Sequence, residues 1–341
     1  MRAPRLIALQ DHDSAQLVTE AQAGLLAQPA RASPKFFYDA LGSRLFDAIT
    51  ELDEYYPTRT EGAIFERHGR EMAEAVHQRL GSGPTLVDLG AGSCEKAARL
   101  LPVLTPARYV AIDISADYLG TALRALQLRF PSLDITGVGL DFSARLALPP
   151  GVLDGPALLF YPGSSIGNFG PADALRLLTE MHALAAGGAL LIGVDLVKPV
   201  DVLEAAYDDA LGVTAAFNLN LLRHLNRLLG ADFAPAQWRH VALFNRERSC
   251  IEMHLQARVP LVVRWRGHEP ARPPEGLMPE CAARRYTCER HFAAGERIHT
   301  EDSYKWTPQG FEALLRRVGF GQVQSWVDER GWFAVMLAGP A

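Results

Sequence analysis

Cysteine is scarce in this chain of 341 residues: Cys94, Cys250, Cys281 and Cys288 are scattered, with no C-x-x-C pair. Such spacing offers neither a zinc site nor a disulfide framework, and it predicts reduced cytosolic thiols. Long blocks of like charge are also missing. With 34 basic and 39 acidic residues the formal charge is −5, so the electrostatic footprint of a nucleic-acid or anionic-membrane binder is excluded. No uncharged apolar run reaches the length a bilayer demands. The N-terminal MRAPRLIALQDHDS has no apolar stretch long enough for a signal peptide, and a cytoplasmic protein is expected. Internal repeats and low-complexity tracts are absent. What remains is an ordinary globular composition, 48% hydrophobic and 21% charged. The length exceeds what one compact domain usually holds, so two domains or one with a large insertion are expected.

From about Gly83 to Leu196, short β-rich runs alternate with helical patterns. TLVDLG, RYVAIDIS, LDITGVGLDF, PALLFYPG and GALLIGVDL read as strands, with helices beginning near Glu95, Ala116 and Ala172. Such alternation builds βαβ units and a parallel sheet covered by helices on both faces. Near the C-terminus WTPQGFEALLRRVGF supplies another helix, with Thr307 as N-cap and Pro308 in the first helical position. GQVQSWVDE and WFAVMLAG then read as a strand pair that completes the sheet. The expected division places 62–197 and 305–341 in a cofactor domain. Residues 1–61 and 198–304 form a second, discontinuous α+β substrate domain. Within it the Pro-, Arg- and Gly-rich stretch 264–285 reads as a surface loop.

Chemistry first shows in TLVDLGAGSCEK, Thr85 to Lys96. A strand running into D-x-G-x-G and a helix brings glycine backbone, Gly90 and Gly92, against a ligand at the strand's carboxyl end. Glu95 replaces the third glycine of a dinucleotide fingerprint. The next strand ends in Asp113, about twenty residues on, placed to accept from ribose hydroxyls. A third ends in Asp141 and Phe142, suited to an adenine amino group and to the ring face. Each feature alone is ordinary, since a strand-end Asp is often only a helix cap. On three successive strands in this order they read as a Rossmann-like class I sheet for S-adenosyl-L-methionine. The fourth strand runs into YPGSSIGNFGP, Tyr161 to Pro171. Alone this is a turn; beside a methyl donor, Asn168 would lie near the acceptor.

Larger segments carry a specific resemblance. FFYDALGSRLFDAITELDEYYPTRTE (Phe36 to Glu61), DLGAGSCEK, SSIGNF, DLVKPVDVLEAAYDDALGVTAAFNLNLL (Asp195 to Leu222), IEMHL and TEDSYKW together resemble the histidine-specific methyltransferases of the ergothioneine pathway. The resemblance implies trimethylation of the α-nitrogen of L-histidine to hercynine, with S-adenosylmethionine converted to S-adenosylhomocysteine, no metal, and a monomer. It implies cofactor contacts at Gly90, Lys96, Asp113, Asp141 and Phe142. Asn168 and Tyr207 would hold the substrate carboxylate, Tyr55 would contact the substrate, and Tyr38 would lie near its amine. Glu301 and Ser303 would grip the imidazole, with Phe217 and Met253 as walls.

The residue types agree with that chemistry. Glu301 and Ser303 are two apart, hence on one side if they lie in a strand. A carboxylate and a hydroxyl suit the two ring nitrogens and would reject apolar analogues. Lys96 suits the carboxylate of the cofactor's methionine portion. Two departures stand out. The stretch between Leu261 and Glu296 is longer than the family pattern, and Asp302 occupies a position expected to be aliphatic, beside Glu301. The rival readings are a relative acting on tryptophan, tyrosine or a modified histidine, and a non-catalytic cofactor-binding relative.

Overall fold

A computed structural model describes residues 2–8, 14–266 and 287–340. Most of the stretch 264–285, with Cys281, lies outside the described residues.

The N-terminal segment contributes strand β1 (Arg5–Ala8), helix α1 (Ser14–Leu26), the short β2 (Ala30–Arg31) and α2 (Ala40–Thr50), then the long α3 (Tyr56–Leu80). Asp39 caps α2 by accepting from the backbone N–H of Gly42, 2.7 Å away. The expected alternation follows: β3 (Thr85–Leu89), α4 (Glu95–Leu104), β4 (Arg108–Asp113), α5 (Ala116–Arg129), β5 (Asp134–Gly139), β6 (Ala157–Tyr161), α6 (Pro171–Ala185) and β7 (Ala189–Asp195). The intervening part contains α7 (Val200–Ala205), α8 (Val213–Leu229), β8 (Trp238–Asn245), β9 (Cys250–Ala257), β10 (Leu261–Arg266), β11 (Thr287–Phe292) and β12 (Arg297–Tyr304). α9 (Pro308–Arg317), β13 (Phe320–Val327) and β14 (Phe333–Pro340) close the chain. Thr307 caps α9 through Gly310, as its sequence position predicts.

Eight strands form the central sheet in the order β1-β5-β4-β3-β6-β7-β14-β13. β1 through β7 of this row run parallel, and β14 enters antiparallel between β7 and β13. Every residue of β6 and β7 is buried, as expected for central strands covered on both faces. Leu86, Tyr109, Leu158 and Leu191 pack on one face with α3, α4 and α5; Val87, Val110, Leu159 and Leu190 pack on the other with α6 and α9. The chain reverses its direction of strand addition between β3 and β6. The loops after these two strands therefore flank the crevice where open α/β sheets bind ligands.

A second sheet, β2-β12-β9-β8, packs with α1, α2 and α8 around Phe37, Leu221, Leu225, Trp238, Leu255 and Ile298. Two elements cross the expected division at 61/62. The apolar β1 pairs in register with the free edge of β5, Arg5 opposite Thr136. α3 begins beside the second sheet and continues along the central one, with Tyr56 in one core and Phe65 and Met72 in the other. The two sheets meet where β7 and β12 end: the backbone N–H of Trp306 donates to Asp195 and that of Val197 to Trp306. Among the described residues no helix is long and apolar enough to cross a membrane.

Candidate active site

The loop after β3 places Gly90 and Gly92 at positive φ, +69° and +51°, where a Cβ would strain the backbone. Asp113, at the end of the adjoining β4, accepts from the backbone N–H groups of Gly92 and Ser115, each at 2.9 Å. Burial pushes the Asp113 carboxyl up and these backbone bonds oppose it. Phe142, beyond the end of β5, lies against Gly90, 3.9 Å from where a Cβ would stand. A glycine floor, an aromatic face and two strand-end carboxylates thus occur together at the carboxyl edge, a donor set that fits an adenosyl ligand.

Two of the expected cofactor residues have protein partners that lie far away in sequence. Lys96 donates to the buried Glu61 at 2.8 Å, and the other Glu61 oxygen accepts from the backbone N–H of Gly163 at 2.7 Å. Gly163 sits at a φ of +79°, which favours glycine, and a Cβ there would stand 2.6 Å from the Lys96 ammonium. An ammonium has three N–H groups, so the Glu61 bond leaves Lys96 able to meet a ligand carboxylate. Asp141 accepts from Ser143 and, at 3.1 Å, from Lys35. Burial raises its pKa, but the Ser143 hydrogen bond and the Lys35 charge together hold the carboxyl below the usual range.

The YPGSSIGNFGP loop follows β6. Gly163 and Ser164 take positive φ, a 3-10 turn spans Ser165–Asn168, and α6 starts at Pro171. Gly167 is required by close approach: a Cβ there would stand 2.9 Å from the carbonyl oxygen of Tyr304. Removal of that one side chain lets β12 run beside the loop. Glu301 and Ser303 consequently face the same cavity as Asn168. Tyr38 and Tyr55, from the N-terminal segment, and Tyr207, after α7, also line it. Phe217 of α8 and Met253 of β9 supply apolar wall, with Phe217 stacked on Phe37 at 4.6 Å. Asp302, between Glu301 and Ser303, turns to the opposite side of β12, where Arg248 and His299 pair with it. There the ligand atoms of Cys250, Glu252 and Asp302 lie within 4.8 Å of one another, and the Arg248 guanidinium takes both carboxylates.

Histidine-specific, S-adenosylmethionine-dependent methyltransferases share a sequence model that matches residues 17–340. The chain belongs to that family. It is 39% identical over 333 residues to the histidine N-alpha-methyltransferase of Mycolicibacterium smegmatis, covering 96% of both chains. Its identity to the histidine N-alpha-methyltransferase of Mycobacterium tuberculosis is 37% over 335 residues, again 96% of both. An Aspergillus flavus N-methyltransferase, imqF, is 26% identical over 330 residues, 92% of this chain and 82% of that one.

In this methyltransferase the cavity floor rests on ionic groups that sequence reading did not single out, although Asp195, Lys198, Lys305 and Tyr56 all fall inside the segments that carry the resemblance. Tyr207 and Ser303 hydroxyls lie 2.7 Å apart, and Lys305 donates to both, at 3.0 and 2.8 Å. Lys305 also meets Asp195 at 2.8 Å, and Asp195 accepts from Tyr56 and Lys198 as well. Burial pushes Asp195 up, but Lys305 and Lys198 hold it below the usual carboxylate range. Burial lowers Lys198 to about 8 against the pull of Asp195. Tyr38, Tyr55 and Tyr207 are pushed well up, mainly by burial, and remain neutral phenols. Glu301 is pushed up to about 8 by burial, with Lys305 opposing and Asp302 adding to the rise.

Two outcomes follow from this geometry. Replacing Asp113 by Ala should weaken binding of S-adenosylhomocysteine by about 1–3 kcal/mol in calorimetry, the cost of a lost hydrogen-bond partner; undiminished affinity would remove Asp113 from the cofactor site. Glu301 has a folded pKa of about 8 against 4.5 for the ordinary group. Its neutral form is thus preferred in the folded state, and its stabilising contribution, complete below 4.5, is lost as pH rises through 8. Ligand-free Glu301→Gln should gain on the wild type over this window, by at most about 1.4 kcal/mol per pH unit. Urea unfolding as a function of pH checks this, and a difference that stays flat across the window would contradict it.

Proposed function

We propose that this protein transfers methyl groups from S-adenosylmethionine to the α-amino nitrogen of L-histidine, three times, to give hercynine for ergothioneine synthesis. One observation carries the reading: a single cavity gathers the hydroxyls of Tyr38 and Tyr55, the Asn168 carboxamide and the Glu301 carboxyl, none with a side-chain partner among the described residues. Unpaired polar groups converging on one partly enclosed cavity call for a partner, and a bound polar ligand supplies it. The curated relatives named histidine N-alpha-methyltransferase support the same substrate.

When bound, the cofactor supplies an electrophilic sulfonium methyl; the chain's task is alignment and exclusion of water. In the proposed roles Gly90, Gly92, Lys96, Asp113, Asp141 and Phe142 hold the cofactor. Glu301 and Ser303 fix the imidazole, and Tyr207 and Asn168 fix the carboxylate, with Tyr55 beside them. Asn168 and Tyr38 then orient the amine lone pair toward the crevice between β3 and β6. Because Tyr38 stays a neutral phenol, its oxygen accepts a hydrogen bond from the amine and the proton leaves to water. Phe217 and Met253 form apolar wall beside the nitrogen as it gains methyl groups. On this reading the central sheet carries the donor and the second sheet the acceptor, and the protein acts as a monomer in the cytoplasm, with no metal in the reaction.

The assignments separate by mutation. Asn168→Ala should remove most turnover while S-adenosylhomocysteine affinity stays nearly intact. Glu301→Ala should raise KM for L-histidine and leave the emptied pocket relatively more tolerant of tryptophan. A kcat/KM for histidine within about threefold of wild type, less than 1 kcal/mol, would show that Glu301 does not hold the imidazole. Equal loss of cofactor binding in Asn168→Ala would make that residue structural.

A further inference from the structure

In direct contact beneath Tyr207 and Ser303, ammonium groups outnumber carboxylates. Lys198, Asp195 and Lys305 are at most 8% exposed, and in direct contact two ammonium groups meet one carboxylate, with Asp328 attracting Lys198 from beyond ion-pair distance. Tyr56, the other polar group in contact, is hydrogen-bonded within the cluster. Glu61 is matched by its own lysine, Lys96. Glu301 makes no ion pair among the described residues, and burial favours its neutral form. An excess buried charge is costly unless something meets it.

The hydrogen count determines where the counter-charge can enter. Lys305 has three N–H groups and three acceptors, Tyr207, Ser303 and Asp195, so it has none left for a ligand. Both hydroxyl oxygens accept from it. They also lie 2.7 Å apart, so one of their two protons is used between them. The remaining proton has no acceptor among the described residues except what occupies the cavity. The pair therefore presents one outward donor with an ammonium directly behind it.

We propose that Lys305, held by Asp195, is a positioning and specificity residue that makes this pair select a ligand carrying a free carboxylate. This rests on the reading above that the cavity takes an amino acid, and it adds why the acid and not its neutral derivative is accepted. A carboxylate receives the outward proton and also offsets the excess charge one hydroxyl away. A carboxamide receives the proton alone.

The test compares binding of L-histidine and L-histidinamide by calorimetry, with S-adenosylhomocysteine present, in wild type and Lys305→Met. Asp195 keeps Lys198 and Tyr56 in this variant, so no unpaired carboxylate is left behind. Wild type should prefer the acid. In Lys305→Met that preference should fall by about tenfold or more, the scale of a hydrogen bond to a charged group, while S-adenosylhomocysteine affinity stays within about twofold. A purely structural lysine would weaken both ligands alike and leave the ratio unchanged, which would overturn the proposal; so would a wild type without the preference. If Lys305→Met does not bind S-adenosylhomocysteine, Lys305→Gln, which keeps two donors and drops the charge, is read by the same ratio. Loss of cofactor binding in both variants would assign Lys305 to the fold and also overturn the proposal. Wild type that binds L-histidine selectively but does not methylate it would sink the proposed reaction and leave this inference standing.

Discussion

Asp195 is the point on which the two halves of the molecule depend. It ends β7 of the central sheet, and its carboxylate receives Lys305 from the end of β12, Lys198 from the following turn and Tyr56 from the start of α3. Its backbone N–H donates to Ser164 in the loop after β6, and its carbonyl accepts from Trp306. Removing Asp195 from this buried group would cost about 3–5 kcal/mol, because the two ammonium groups left behind have no water to return to. That cost holds β12 in one register against the loop after β6. Glu301 and Ser303 stand over the crevice only in that register.

Gly167 and Gly193 show the same junction from the side of sterics. A Cβ at Gly167 would strike the Tyr304 backbone, and one at Gly193 would lie 2.0 Å from a Glu61 oxygen. The first omission admits β12. The second admits the buried carboxylate that ties Lys96 to Gly163, and through them the loops after β3 and β6. The loops after β3 and β6 and the strand β12 are thus joined through contacts far apart along the chain, and a change at Glu61 or Asp195 would move both walls of the cavity.

Much of this was legible in the sequence. The five strands from β3 to β7 follow from apolar runs ending in small or acidic residues, and α9 from Thr307 and Pro308. Alternation along a strand places Glu301 and Ser303 together and sends Asp302 to the opposite side, where Arg248 meets it. Partnership is what local pattern could not supply. Lys35 with Asp141, Glu61 with Lys96 and Asp195 with Lys305 are separated by 106, 35 and 110 residues respectively, as their numbers show. An isolated lysine in SYKW or SPKFF has no periodicity that reveals its carboxylate. β1 was missed because RLIA, with only three apolar residues, makes a strand only when a neighbouring edge is free.

The central claim is that the cavity is shaped for one amino acid, with its ring nitrogens at Glu301 and Ser303 and its amine at Asn168. The most direct measurement is incubation of the purified protein with S-adenosylmethionine and each of the twenty amino acids, with products followed by mass spectrometry. The account predicts methylated product from L-histidine alone, accumulating as the trimethylated betaine. Faster methylation of tryptophan or tyrosine, or methyl groups found on the imidazole instead of the α-nitrogen, would contradict it.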